Sequence, residues 1–276
     1  PIPIYSRIYS SKEEGFISED EEVLKGLKCL TKQFGRNGIR TLDRGFDALI
    51  YYSYFLKEAE PFIVRCKKQR NVIHKGKTQN IYDVAKQFKG KYRMNFNGKD
   101  GRKIECKLSV IPVSLPKYPE KELNLVVVHG FGKTPMMLLT NLKSNDKRLC
   151  LAIAKVYLMR WRIEEYYCFK KQQYKFEDFR VRSLNAIRSL NIMVCVLIGL
   201  IGTLSEKVND SIFVNELIAL SKRIYGIKKK NGRIKFIYYA LADGIFYILN
   251  KSTVGISNFI LPPKRQLTVQ LSFLTD

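Results

Sequence analysis

The chain has 276 residues, 46% of them hydrophobic and 12% aromatic, enough apolar material for one large domain or two smaller ones and too much for a disordered chain. Lys and Arg number 49 against 25 Asp and Glu, a formal charge of +24. Without a basic low-complexity tail, that excess points to a structured surface for a polyanion, foremost nucleic acid. Six cysteines without a CxxC pair and only two histidines, His74 and His129, exclude a zinc site of usual spacing. Scattered cysteines at apolar positions read as reduced core thiols of a cytoplasmic protein. No signal peptide is visible, and the longest apolar stretch, Ile192 to Leu204, is shorter than the ~20 residues a bilayer needs, which reads as a buried core helix and no membrane partner. The start, Pro-Ile-Pro-Ile without methionine, reads as a piece of a longer protein.

In chain order, Ile2 to Tyr9 reads as a strand. Ser18 and Glu21 form a capping box, and Val23, Leu24, Leu27, Leu30 and Phe34 follow at helical spacing until Gly35. Ile39 to Leu42 is a short strand that ends at Asp43, and a second helix runs from Phe46 to about Lys57. This alternation predicts an α/β layer.

Near Glu60 the composition changes. Between Arg65 and Lys121 there are 16 Lys and Arg against 4 acids, a net +12 that is half of the chain's excess. The stretch is β-rich: Ile104, Cys106, Leu108 and Val110 alternate with Lys103, Glu105, Lys107 and Ser109, just after the turn pairs Asn97-Gly98 and Asp100-Gly101. Leu125 to His129 and Met136 to Asn141 are further strands. From Asp146 the pattern is helical, over Lys147 to Gln173, Ser183 to Glu206, Ser211 to Tyr225 and Ile234 to Leu249, and the last 25 residues carry no clear period. The predicted divisions are 1–59, a basic β-rich 60–145, and 146–276.

The most informative segment is YLMRWRIEEYYCFKK, Tyr157 to Lys171. On one continuous helix, at about 100° per residue, Tyr157, Arg160, Glu164 and Lys171 share an arc of roughly 60°. One carboxylate then stands beside two cations, an arrangement suited to an anion and equally to an i,i+4 ion pair on a solvated face. Asp43, at a strand end in TLDRGF (Thr41 to Phe46), can likewise be a turn-forming aspartate or a metal ligand. Phosphodiester cleavage is served by two divalent ions about 3.5–4 Å apart, held by carboxylates on rigid converging elements.

Both segments resemble bacterial insertion-sequence transposases of the DDE type. The spacing Tyr, two residues, Arg, three residues, Glu, six residues, Lys is that family's Tyr-Arg-Glu-Lys signature. RWRIE (Arg160 to Glu164) is similar to the wording around its last catalytic acid, and TLDRGF to that around its second. PFIVRCK (Pro61 to Lys67) and MMLLTN (Met136 to Asn141) resemble strands that border a β-rich insertion in the family. The resemblance spans nearly the whole chain. It implies a mixed α/β, ribonuclease-H-like core interrupted by a β-insertion and followed by a helical C-terminal part.

It further implies Mg2+-dependent DNA strand cleavage and transfer, with Asp43 and Glu164 as catalytic metal ligands within about 8 Å of each other. Arg65, Tyr157, Arg160, Trp161 and Lys171 are expected on DNA, where the cations would neutralise phosphates and Trp161 would stack on an unpaired base or simply pack. The expected partners are double-stranded DNA, as transposon terminal inverted repeats and target, and a second copy of the chain. The family's first acid lies on a strand upstream of the segment that Ile2 to Tyr9 resembles. Only Asp20 precedes Asp43, in the first turn of a capped helix where an acid serves the dipole. The chain is therefore expected to be a C-terminal fragment lacking the first catalytic aspartate, or a truncated, inactive DNA-binding relative. His129 reads as a structural histidine, and Tyr166, Tyr167 and Phe169 as core.

Overall fold

The structure, a computed structural model, describes residues 2–97, 103–143, 146–208, 210–225, 229–230, 233–234 and 237–251. The chain forms two compact units, Ser11–Arg162 and Pro1–Ser10 with Ile163–Asp276.

In the first unit α1 (Glu19–Phe34) starts where the Ser18 hydroxyl accepts the Glu21 amide at 3.2 Å and stops at Gly35, φ 60°. There follow β1 (Arg40–Leu42), a one-turn 3-10 helix (Arg44–Phe46), α2 (Leu49–Lys57), β2 (Phe62–Arg65), β3 (Asn71–His74), β4 (Lys77–Asn80) and α3 (Ile81–Lys86). Then come β5 (Tyr92–Asn97), β6 (Lys103–Leu115), β7 (Tyr118–His129), β8 (Met136–Thr140) and α4 (Lys147–Met159). The eight strands form one mixed sheet of order β1-β2-β8-β7-β6-β3-β4, with β5 on β6. β1 and β2 run parallel, and the other described pairs in this sheet are antiparallel.

Both faces of the sheet are covered, which explains the unbroken apolar runs Phe62–Val64 and Met136–Leu139. Phe62 and Val64 join Leu24, Tyr52, Phe55 and Val84 on the side of α1, α2 and α3. Ile63, one residue out of phase, joins Cys106, Leu138, Ile153 and Tyr157 beneath α4. β1 is tied to this frame through Arg40, whose amide donates to the Pro61 carbonyl at 2.9 Å. Its guanidinium pairs at 3.0 Å with Glu60, a fully buried carboxylate that also accepts the Thr31 hydroxyl at 2.7 Å.

The second unit contains α5 (Arg162–Tyr174), α6 (Leu184–Glu206), α7 (Ile212–Tyr225) and α8 (Ile237–Lys251). Phe169, Val194, Ile198, Leu217 and Leu241 build its core. α7 and α8 meet so closely at Gly244 that a Cβ there would lie 2.5 Å from the Leu217 carbonyl oxygen.

Several expectations are corrected. Ile2 to Ser10 carries no strand. Its polar groups bond to α6, the Ile8 carbonyl accepting from Arg188 at 2.9 Å and the Ser6 hydroxyl from Asn191 at 2.9 Å. The expected helix over Lys147 to Gln173 is two helices, broken at Arg160–Trp161, where the amides of both turn back three residues to Tyr157 and Leu158. The apolar stretch at Ile192 is not a buried core helix. α6 is long and apolar enough to cross a membrane by length and composition, and 28% of its most apolar stretch is buried. Ile192, Met193, Val196, Leu197 and Leu200 form an exposed row opposite the buried Val194, Ile198 and Ile201. Cys66, Cys106 and Cys150 are core thiols as expected, whereas Cys29 and Cys168 are exposed. Of the aromatics assigned to the core, Phe169 is buried and Tyr167 is half exposed. The Asn97-Gly98 and Asp100-Gly101 turns and the last 25 residues fall largely or wholly outside the described residues, while Asn97 and Lys103 pair across the hairpin.

Two stability predictions follow from the buried polar groups. Arg40→Met leaves the Glu60 carboxylate buried without its cation and should lower unfolding free energy by about 3–5 kcal/mol, much of it recovered when Glu60→Gln is added; urea melts of the two variants decide this. Burial pushes the Cys150 thiol up from 9.0 to about 12. An acid whose folded pKa is raised contributes stability that is whole below the unfolded value, so the urea midpoint should fall as pH rises from 9 toward 12, and fall less in Cys150→Ala.

Candidate nucleic-acid interface and catalytic edge

The parallel pair brings two of the predicted residues together. Leu42 pairs with Val64, so the next residues, Asp43 and Arg65, leave adjoining strands side by side, about 4.8 Å apart in backbone spacing. Carboxyl ends of parallel strands are where open α/β sheets place ligands. Asp43 caps the 3-10 turn: its Oδ1 accepts the Gly45 amide at 2.8 Å. That turn-forming role holds the carboxylate at the strand end, and among the described residues its Oδ2 has no hydrogen-bond partner. Arg65 is half-buried and makes no ion pair among the described residues.

α4 ends at the same edge of the sheet. β7 runs parallel to β2, both being antiparallel to β8, so His129 at its end lies on the edge that Asp43 and Arg65 occupy. Phe131, just beyond, meets Trp161 edge-on at 5.8 Å between ring centroids. Trp161 is thus a packing residue, half-buried, directly after Arg160. The Arg160 guanidinium lies 5.8 Å from the centre of the Tyr157 ring. Tyr157 itself is 1% exposed, within the core beneath α4, and its buried hydroxyl has no hydrogen-bond partner among the described residues. His129 was not among the residues selected from sequence. Its Nε2 is buried and has no hydrogen-bond partner among the described residues.

Because the helix breaks after Met159, the four signature residues do not lie on one continuous helix. Tyr157 belongs to α4 and Arg160 to its cap, both in the first unit. Glu164 and Lys171 belong to α5 in the second, about 10 Å apart along its axis. Glu164 is exposed in the first turn, where a carboxylate suits the helix dipole. Lys171 pairs with Glu177 at 2.6 Å, an exposed ion pair that raises the lysine pKa.

The basic stretch forms a solvent-facing surface on the hairpin of β5 and β6. Arg93 stands directly opposite Lys107, Lys107 is opposite His129 on β7, and Lys91 and Lys103 are exposed beside them. Like charges directly across a sheet destabilise it. The one acid in this group, Glu105, reaches Arg93 at 3.8 Å with both side chains well exposed, which offsets little.

No three Asp, Glu, His or Cys side chains among the described residues come together to hold a metal ion. Asp43 and Glu164 are two carboxylates where the sequence resemblance implies three.

If the row binds a phosphate backbone, Arg93→Ala and Lys107→Ala should each weaken duplex binding uniformly across sequences. Each should also reduce the slope of log K against log salt by about 1, measured by fluorescence anisotropy between roughly 50 and 200 mM salt. Unchanged slopes would remove the hairpin from the interface. In comparisons with known proteins, no protein-family model matches the chain and no curated protein matches it.

Proposed function

We propose that the chain belongs to a DDE-type DNA transposase, acting on transposon ends by Mg2+-dependent strand cleavage and transfer. The observation that carries this reading is the side-by-side placement of Asp43 and Arg65 at the carboxyl ends of the parallel strands β1 and β2. The two motifs quoted for the resemblance point to those same residues. The +24 charge and the basic hairpin supply the surface that DNA requires. Since no family model matches the chain, the resemblance rests on the quoted residues alone.

In this reading the mixed sheet is a ribonuclease-H-like core. Asp43 and Glu164 would be the metal-holding carboxylates, Arg65, Arg160 and Lys171 would neutralise phosphates, and Tyr157 would keep the end of α4 in place from the core. When bound, two Mg2+ ions would activate the attacking oxygen and stabilise the leaving one. The donor set in this chain is one acid short of that requirement, so no step is written through the ions. Among the described residues β1 pairs with one strand, β2, and the strand that the resemblance implies, carrying the third acid, would pair with its other edge. The expected partners are duplex DNA and a second copy of the chain, and the expected compartment is the one that holds the bacterial nucleoid.

The donor shortfall favours a second reading, a catalytically inactive, truncated transposase-derived protein that binds DNA. One experiment separates the two. The chain extended by its natural upstream sequence is incubated with duplex DNA and Mg2+, beside Asp43→Asn and Glu164→Gln. The first reading expects nicking in the parent and a loss of about a thousandfold or more in both variants, with binding retained. Binding without nicking in all three selects the second reading, and no binding excludes both. Asp43→Cys with Glu164→Cys, in a background without Cys29 and Cys168, should further be joined by a crosslinker that spans about 8 Å.

A further inference from the structure

The loop that leaves β2 directly after Arg65 opens onto a cleft of about 600 Å3. It is lined by Asp47 and Leu49 at the start of α2, Lys67, Gln69 and Arg70 of the loop, Asn71 at the start of β3, and Pro116 and Lys117 of the turn between β6 and β7. Its volume lies within the ~300–1,000 Å3 of small-molecule sites and is far larger than a lone inorganic anion requires.

The cleft wall is built around a buried carboxylate. Asp47 accepts the Tyr52 hydroxyl at 2.8 Å, the Lys67 amide at 2.7 Å and Arg70 Nε at 2.9 Å, and pairs with Arg70 Nη2 at 2.8 Å. Arg70 Nη2 also donates to the Asp47 carbonyl at 2.6 Å. These bonds occupy one edge of the guanidinium, whose plane is further held against the Tyr52 ring, 5.5 Å from its centre. Burial alone would lower the Arg70 pKa, but Asp47 outweighs it and the net shift is upward. Nη1 is left over, with two donors fixed in direction and no partner among the described residues.

Asp47 is thus neutralised by Arg70, and Lys67 and Lys117 remain as uncompensated cations at the cleft. The nine-residue helix α2 adds to them. Ala48 at its N-cap offers no side-chain oxygen, and the Tyr51 amide turns back to the Ala48 carbonyl at 3.2 Å, so of the first turn the amides of Leu49 and Ile50 keep their donors for an anion. The rest of the lining is of another character. Leu49 and Pro116 give an apolar surface, and Gln69 and Asn71 give two exposed amides that can each donate and accept. Cations for a phosphate, an apolar surface for a base and amides for its edge are the groups that a nucleotide needs.

We propose that this cleft binds a nucleoside phosphate, namely one nucleotide of an unpaired DNA strand. Lys67, Lys117, Arg70 Nη1 and the start of α2 take the phosphate. Leu49 and Pro116 take the face of the base, and Gln69 and Asn71 its edge. The proposal rests on the nucleic-acid reading above and extends it, because it places a strand beyond Arg65 in single-stranded form. The same chemistry would accept a free mononucleotide.

The test uses the full chain with a fluorescein-labelled 12-nucleotide single strand, the corresponding duplex, and dAMP. Gln69→Ala with Asn71→Ala should weaken single-strand binding about tenfold with an unchanged salt slope, and leave duplex binding unaltered. Lys117→Ala should lower the single-strand salt slope by about 0.7. These three side chains are exposed, so the variants should fold, which a thermal melt verifies. If the variants leave single-strand binding intact while Arg65→Ala or Lys107→Ala weakens it, the cleft proposal is overturned and the DNA reading stands. If the parent binds no DNA but dAMP raises its melting temperature, and does so less in the cleft variants, the DNA reading fails and the cleft takes a free nucleotide. If neither DNA nor dAMP binds, both fall.

Discussion

Much of the first unit depends on one short parallel pairing. β1 is three residues long and sits at the edge of the sheet, where a parallel pair of that length has little intrinsic stability. It is fixed at both ends by buried carboxylates. At its start Arg40 is held by Glu60, which also receives Thr31 from α1. Past its far end Asp47 ties the entry of α2 to the loop that follows β2, through Lys67 and Arg70. Buried charges of this kind contribute little net stability but make alternative registers costly, because any slip leaves a carboxylate unpaired in the core. The register they enforce is the one that sets Asp43 beside Arg65.

The same fixing turns a sheet edge into a chemical surface. Asp43 is aimed by the Gly45 amide, Arg70 by Asp47, and the end of α4 by the Tyr157 ring in the core and the Trp161 contact with Phe131. Functional groups held by buried partners need little reordering when a ligand arrives. The basic hairpin works differently. Its lysines and arginines are exposed and mutually repelling, suited to long-range attraction of a polyanion rather than to reading one group. A strand drawn in by the hairpin would meet rigid donors at the edge and in the cleft.

The row of exposed aliphatic side chains on α6 belongs to the second unit and has no counterpart in the charged surfaces of the first. A helix that is apolar on two sides normally has both covered.

The sequence by itself determined several elements, because period and caps are local: Ser18 and Gly35 bound α1, and alternation marks β6. It also marked Asp43, Arg65 and the basic stretch. It could not reveal the break after Met159, since Arg160, Trp161 and Arg162 are acceptable helix residues and the contact at the break, Trp161 on Phe131, joins positions thirty apart. Nor could it show that Ile2 to Ser10 lies along α6 without pairing, that Tyr157 faces the core, or that Asp47 and Arg70 form one wall of a cleft. Each of those depends on which distant group arrives as a partner, and that is decided only when the sheet has closed around its two cores.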